Sequence, residues 1–450
     1  MRKPLFALLF LLLLTLLACS LFPAATAAPP AEDAIATAVA ATLAADTSAT
    51  SFVPPTEVPP TPSVEAPASP KAVYVLEGNV WLWQPGNPTF QLTTSGDARH
   101  LRISPDGQIV AFVRALDETT VEIWAVDIDG RNLRRLVSAD DLARIPRPDE
   151  AVGTDIGQME WVPGTHTLAY STVPLFIGPG LMPANNLQLV DADTAAQRTF
   201  LEPGQGGRFA FSPDGTRVVV STATQIDLLW LDGRAPRQQL LAYSPVMTYS
   251  EYTFVARPQW APDGSHLLVF IPPSEALVTP APSSAVWYLP ADGSAARQLA
   301  SFTTTALWGV GDNTPLFNPA LTHLVYFSEE GETQSLHVAA VDGSSDEVYA
   351  SAPQITFFGW APAALQFVYA ADENAPLLAQ VAGASAPLIN ESTREVRDVT
   401  WLTDDIFLFT LSDCTVDGCN WQLNFKTPSN SGRLAVTTRV YAMPEISVSR

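Results

Sequence analysis

The chain has 450 residues, 24 basic and 46 acidic side chains and a formal charge of −22; 47% of it is hydrophobic and only 16% charged. That is too apolar for a wholly disordered polypeptide and too long for one undivided core, which stops growing near ~250–300 residues. The acid excess repels phosphate backbones, and lysine occurs only at Lys3, Lys71 and Lys426, so no basic stripe exists to track nucleic acid.

Arg2 and Lys3 precede an uncharged apolar run from Leu5 to Ala18. About 14 residues are too few to cross a ~30 Å hydrocarbon core comfortably, but they fit the apolar region of a secretion signal. The run ends Leu16-Leu17-Ala18-Cys19, which resembles the lipobox of bacterial lipoproteins. That resemblance implies a signal peptide over residues 1–18 and a diacylglycerol on the Cys19 thiol. It also implies a chain anchored on the extracytoplasmic face of a bacterial cell envelope, with inner and outer membrane both open. An ordinary signal with a chance cysteine, or an uncleaved anchor, is the alternative. No later stretch approaches 18 uninterrupted apolar residues.

Residues 19–70 follow as a change of composition. Ala, Thr, Pro and Ser dominate, ending in Val53-Pro54-Pro55-Thr56-Glu57-Val58-Pro59-Pro60-Thr61-Pro62. Proline removes backbone donors, and too few large apolar groups remain to offset the entropy of ordering. A disordered tether is expected.

Beyond Lys71 the chain is periodic. Ile103-Ser104-Pro105-Asp106-Gly107 leads into Ile109-Val110-Ala111-Phe112-Val113; Phe211-Ser212-Pro213-Asp214-Gly215 leads into Val218-Val219-Val220; Trp260-Ala261-Pro262-Asp263-Gly264 leads into Leu267-Leu268-Val269-Phe270. Degenerate copies start at Trp161, Phe317, Trp360 and Trp401, giving seven copies 41 to 58 residues apart. Such a period marks a propeller or solenoid. Each copy reads as four strands: one ending in an aromatic or Ile, a Pro-Asp-Gly turn, a continuous apolar strand, an alternating strand such as Val121–Val126, then a turn like Asp129-Gly130 and a last strand such as Leu133–Val137. Helical periodicity is absent, so residues 71–450 are expected to be all-β.

These copies resemble the repeats of TolB-like and dipeptidyl-peptidase-type (WD-like) β-propellers, whose core is S-P-D-G before an apolar strand. The resemblance covers roughly 380 residues and implies four-stranded antiparallel blades. Residues 72–94 supply three strands without an inner one, and Val440 to Val448 remain after the seventh copy. The tail is therefore expected to enter as the missing strand, closing eight blades with the two chain ends; seven is the alternative.

Three positions before the end of each inner strand, near the axial channel, stand His100, Gln158, Arg208, Arg257, Thr314, Phe357 and Asp398. Arg forks bind carboxylates bidentately, so His100, Gln158, Arg208, Arg257 and Asp398 are candidate contacts at the channel mouth for an anionic ligand. The plainer reading is a solvated wall whose Arg and Asp pair internally. His166, His266 and His323 occupy matching places in different repeats, which sit far apart in a ring, so no metal is expected; His337 reads as packing or surface. Trp161, Trp260, Trp360 and Trp401 recur where a side chain wedges between blades. The insertions Phe176–Asn186 and Pro272–Ser284, and the tyrosine-rich Tyr243–Tyr252, are candidate contact loops. Cys414 and Cys419 flank Asp417-Gly418 in a hairpin pattern and are expected to form a disulfide.

No G-x-S-x-G, H-E-x-x-H, P-loop or dinucleotide fingerprint occurs, so no catalytic residue and no cofactor is assigned. The favoured function is a membrane-anchored binding scaffold or receptor for a protein, peptide or envelope glycan. The alternative is a hydrolase or lyase acting on polysaccharide or peptide with carboxylates at the channel mouth.

Overall fold

The Ser-Pro-Asp-Gly sequence sets the first turn where it occurs, at 104–107 and 212–215. In the turn at 104–108, the Gly107 N–H donates to the Ser104 carbonyl (2.8 Å), while the Ser104 hydroxyl accepts from the N–H groups of Gln108 (3.1 Å) and Ile109 (2.9 Å). Gly107 sits at φ +68°, where a side chain would be strained. Ser212 and Gly215 repeat the arrangement at φ +65°. In the copy Val162-Pro163-Gly164 the glycine comes one place earlier, at φ +72°, and Thr165 closes the turn, as a Pro-Gly type II turn requires. The degenerate copies change turn type but not length: 104–108, 162–166, 212–216, 261–265, 361–365 and 402–406 all span five residues between strands.

The computed structural model describes residues 69–178, 184–249, 252–275, 283–304, 315–371, 376–381, 386–387, 395–415, 418–426, 434–437 and 443–449. Residues 1–68, where a signal peptide, a lipidated Cys19 and a tether are expected, lie outside them, as does Thr314.

The described residues form an eight-bladed β-propeller of antiparallel sheets. Blade 2 is the plainest: strands Ala98–Ile103, Ile109–Ala115, Val121–Asp127 and Arg134–Val137 lie side by side in chain order. The inner strands of blades 3, 4 and 5 are Gly153–Trp161, Arg208–Phe211 and Gln259–Trp260; those of blades 7 and 8 are Thr356–Trp360 and Glu395–Trp401. In blade 6 three strands are described (His323–Glu330, Thr333–Ala340, Asp346–Ala352), and Phe317 bridges to Leu324 at the inner position, just after residues 305–314, which lie outside the described residues. A short helix, Ala139–Ala143, was not anticipated; Ser138 and Asp141 form a capping box at its start.

Blade 1 is built from both chain ends. Lys71–Leu76, Asn79–Trp83 and Phe90–Gln91 are joined by Ile446–Ser449, which pairs Ala72 with Val448 and Tyr74 with Ile446 in the innermost position. This is the expected closure. Eight apolar clusters lie between successive blades, one at each boundary. The last packs Tyr74 and Trp83 of blade 1 against Leu402, Leu408 and Leu423 of blade 8, which completes the circle. Each sheet is buried on both faces by its neighbours, so no blade has a core of its own.

Antiparallel order sends alternate connections to opposite rims. On one rim lie the five-residue first turns and the connections between third and fourth strands, such as 128–133, 192–196 and 231–237. On the other rim the connections are irregular, from 77–78 and 331–332 to 138–152, 176–186, 243–258, 272–282 and 304–316. All three candidate contact loops therefore leave from the same rim.

Candidate functional site at the channel mouth

The inner strands carry the candidate residues, and a β-bulge sets the first of them apart. In blade 2 the register slips between Arg99 and Arg102, and His100 takes φ +49°. Its backbone N–H, freed from the ladder, donates to Glu445 Oε2 of the C-terminal segment (2.6 Å), and its ring Nε2 lies 3.4 Å from Arg99 Nη1. The closing strand also accepts from the Ile103 N–H through Ser447 Oγ (3.2 Å). Blade 2 and the chain end are thus fastened together beside the axis.

Gln158 is a clasp between blades 3 and 4. Its side-chain amide donates to the Phe209 carbonyl (2.7 Å) and its carbonyl accepts from the Phe209 N–H (3.2 Å). Both polar ends are used in holding the neighbour, which explains glutamine there without a ligand. Phe357, at the same offset in blade 7, is buried core. Arg208 opens the inner strand of blade 4, and Arg257 stands exposed two residues before that of blade 5. Asp398, on blade 8, is half-buried and accepts a long hydrogen bond from Thr400 Oγ1 (3.4 Å). Desolvation raises its proton affinity, against the lowering by the Val399 N–H and Thr400 hydroxyl.

The offset rule missed the partners. Side chains further along the same strands complete the wall: the bulge puts Arg99 and Arg102 on one face of blade 2, and Gln158 and Glu160 share a face of blade 3. Arg102 follows His100 and Glu160 follows Gln158; Arg102 Nε lies 3.8 Å from Glu160 Oε1 and donates to the Met159 carbonyl (2.9 Å). Arg99 pairs with Asp155 at 2.7 Å. Desolvation holds the Glu160 carboxyl above its ordinary range, although Arg102 and Arg208 pull it down. The wall between blades 2, 3 and 4 is therefore internally paired. A signal for Asp155 and Glu160 existed, since both lie on the strand already chosen, but their arginine partners lie on another blade.

The tryptophans wedge as expected and also donate. Trp161 Nε1 donates to the Arg102 carbonyl (3.1 Å), Trp260 to Ala210 (3.1 Å) and Trp360 to Leu316 (2.9 Å), each on the inner strand region of the preceding blade. Trp401 Nε1 is buried without a partner among the described residues. Cys414 and Cys419 form the disulfide at the end of a blade 8 hairpin, on the irregular rim.

The histidines behave individually. His166 lies between Asp193 of its own blade (2.9 Å) and Asp106 of blade 2 (3.0 Å), and these two carboxylates raise its pKa. His266 stacks on Tyr288 with ring centroids 4.5 Å apart, and burial lowers its pKa. A cavity of about 300 Å³ on the irregular rim is lined by Tyr243, Pro272, Pro273 and Trp287, between two of the candidate loops. Among the described residues no group of side chains is arranged to hold a metal ion.

No protein-family model and no curated protein matches the chain. Solved structures do resemble it. TolB from Acinetobacter baumannii is 15% identical over 62% of this chain and 62% of its own, with a TM-score of 0.34. An oligogalacturonate lyase in complex with manganese is 16% identical over 69% of this chain and 81% of its own, at 0.41. The β-propeller domain of the Trilobed protease from Pyrococcus furiosus is 13% identical over 82% and 95%, at 0.40. The chain thus spans less than two thirds of TolB. Likeness at this level concerns the fold alone, and the order of its own sheets makes this chain a propeller of eight blades.

Proposed function

We propose that this protein is a binding scaffold or receptor, held through Cys19 on the extracytoplasmic face of a bacterial envelope. Its irregular rim and channel mouth take a protein, peptide or envelope glycan. The observation that supports it is the asymmetry of the ring. First turns on one rim keep a length of five residues in six copies, whereas connections on the other run from 77–78 to 243–258. A rigid ring gains no stability from long connections, which cost loop-closure entropy, so their concentration on one side fits a contact surface. His100, Arg208, Arg257 and Asp398 belong to the same surface as candidate ligand contacts.

The test is a pull-down with the full chain from the envelope of the cell that makes it. Replacing 272–282 by the short 222–224 connection of blade 4 should cut recovery of the partner at least tenfold, while shortening 231–237 on the regular rim should not. Equal recovery by both variants would remove the rim assignment. Incorporation of labelled palmitate that is lost in Cys19→Ser tests the anchor separately.

Glu160 and Asp398 favour the second reading, a hydrolase or lyase, because both carboxyls have raised proton affinity. They stand on blades 3 and 8, with two blades between them. Turnover of an oligosaccharide or peptide that is lost in Glu160→Gln or Asp398→Asn would favour it.

A further inference from the structure

Away from the channel, three adjacent strands of blade 6 bring a serine, a histidine and an aspartate into line. Ser328 Oγ lies 2.7 Å from His337 Nε2, and His337 Nδ1 lies 3.2 Å from Asp346 Oδ1. The imidazole is stacked on the Tyr326 ring, centroids 4.4 Å apart and planes 17° from parallel, and the Tyr326 hydroxyl donates to the other oxygen, Asp346 Oδ2, at 2.7 Å. Strand pairing sets this up: Tyr326 faces His337 directly, while Ser328 and Asp346 are its diagonal neighbours on the same face of the sheet.

The tautomer follows from the partners. An ionised carboxylate only accepts, so His337 Nδ1 must carry the hydrogen given to Asp346. Nε2 is then left with its lone pair, and the Ser328 hydroxyl must donate to it. Burial and the Asp346 carboxylate both raise the Tyr326 pKa, so its hydroxyl stays a donor and supports the carboxylate. The ring is fixed by a stack on one face and hydrogen bonds at both nitrogens, while Ser328 and His337 remain partly open to solvent. A serine held against an oriented base is the arrangement that makes a hydroxyl nucleophilic.

We propose that Ser328, His337 and Asp346 form a second, hydrolytic site, in which Ser328 takes an acyl group from small uncharged esters. Ser328 Oγ attacks the ester carbonyl as its proton passes to His337 Nε2. The C–O bond to the alcohol then breaks, and the leaving oxygen takes that proton. Water next attacks the acyl-serine, giving a proton to Nε2; the bond to Oγ breaks, Oγ regains the proton, and a carboxylic acid leaves. Asp346 balances the imidazolium throughout and stays ionised. Glu329, Glu330 and Glu332 follow Ser328 closely and are exposed, which disfavours anionic acyl groups. General-base assistance is worth about 10²–10⁴-fold. Oxyanion donors would add about 10²–10³ and are not assigned, so activated esters rather than amides are the substrate class.

A fluorophosphonate probe and p-nitrophenyl acetate test this with the full chain. The expected result is a covalent adduct on the Ser328 peptide by mass spectrometry, absent in Ser328→Ala and formed at least tenfold more slowly in His337→Asn and Asp346→Asn. Hydrolysis of the acetate should fall in parallel. Ser335→Ala, which changes the serine opposite Ser328, should leave both rates unchanged. If His337→Asn lowers the melting midpoint, Asp346→Asn, which removes only the charge, decides. An adduct at Ser328 no faster than in the urea-unfolded chain, or equally fast in both relay variants, overturns the proposal.

Discussion

Two boundaries of the ring, both packed by apolar side chains, differ in what is added to that packing. Between blades 2 and 3, polar groups cross repeatedly: Arg99 to Asp155, Arg102 to the Met159 carbonyl, Trp161 to the Arg102 carbonyl, and His166 to Asp106. Between blades 8 and 1 the seam is apolar, with Tyr74, Trp83, Leu402, Leu408 and Leu423 buried and Trp83 against Phe425 at 4.6 Å. The first boundary already buries an apolar cluster that includes Ile123, Leu136 and Leu168, and the polar contacts are added to that packing and fix its register. The second joins the two ends of the propeller. There few polar groups cross, and non-directional burial plus a borrowed strand do the holding.

The deepest way to break this contrast is to remove the strand. Deleting Tyr441–Arg450 takes away the ladder to Lys71–Tyr74 and the contacts of Glu445 and Ser447 with blade 2. With several hydrogen bonds lost at about 1 kcal/mol each and apolar surface exposed, a loss on the order of 5 kcal/mol is expected. Thermal unfolding measures it, and an unchanged melting curve would show that the seam holds without the strand.

Reducing the Cys414–Cys419 bond in blade 8 should cost less. The bridge closes a loop with a sequence separation of only 5, worth roughly 2 kcal/mol in the chain-entropy model. The comparison of melting midpoints with and without dithiothreitol reads this directly, with Cys414→Ser/Cys419→Ser as the control that should not respond.

Tryptophans sharpen the contrast at the level of single bonds. Trp161→Phe removes a donor and leaves the Arg102 carbonyl short of a partner, at about 1 kcal/mol. Trp401→Phe removes an Nε1 that is buried and unpartnered among the described residues, so it should cost less or even stabilise. Urea unfolding of the two variants compares them, and equal losses would mean that packing alone decides.

The smallest expected effect is in pH. Asp106 and Asp193 raise the folded-state pKa of His166 above its ordinary value, so the charged ring's contribution is fully present below that ordinary value. It is lost as pH rises through the raised one. Solvent screening keeps the effect small, since His166 and its partners are partly exposed. The parent's stability advantage over His166→Gln should shrink from pH 5.5 to pH 8.5; an advantage that grows instead would reverse the assignment.

Much of the architecture was legible. Pro-Asp-Gly needs preset φ, a side-chain acceptor and positive φ at successive positions, all local properties, so turns and the strands between them followed from short words. The surplus strand at the C-terminus and the missing one in blade 1 made the closure readable as well. The channel was half legible: the offset found His100, Gln158 and Asp398 on inner strands, yet not what they touch. His100 meets Glu445, 345 residues away, and His166 meets Asp106, 60 residues away. The blade 6 relay was invisible for a related reason. Ser328, His337 and Asp346 lie on three successive strands, and only the register of pairing decides whether they meet.

By itself, then, the sequence determined what depends on neighbours along the chain: turn types, strand periodicity, blade number and the need for a final strand. Tertiary structure alone decided which polar groups pair across blades and that the long connections share one rim. Backbone conformation is set within a few residues, whereas side-chain partnership depends on how blades are placed around an axis, which no local word encodes.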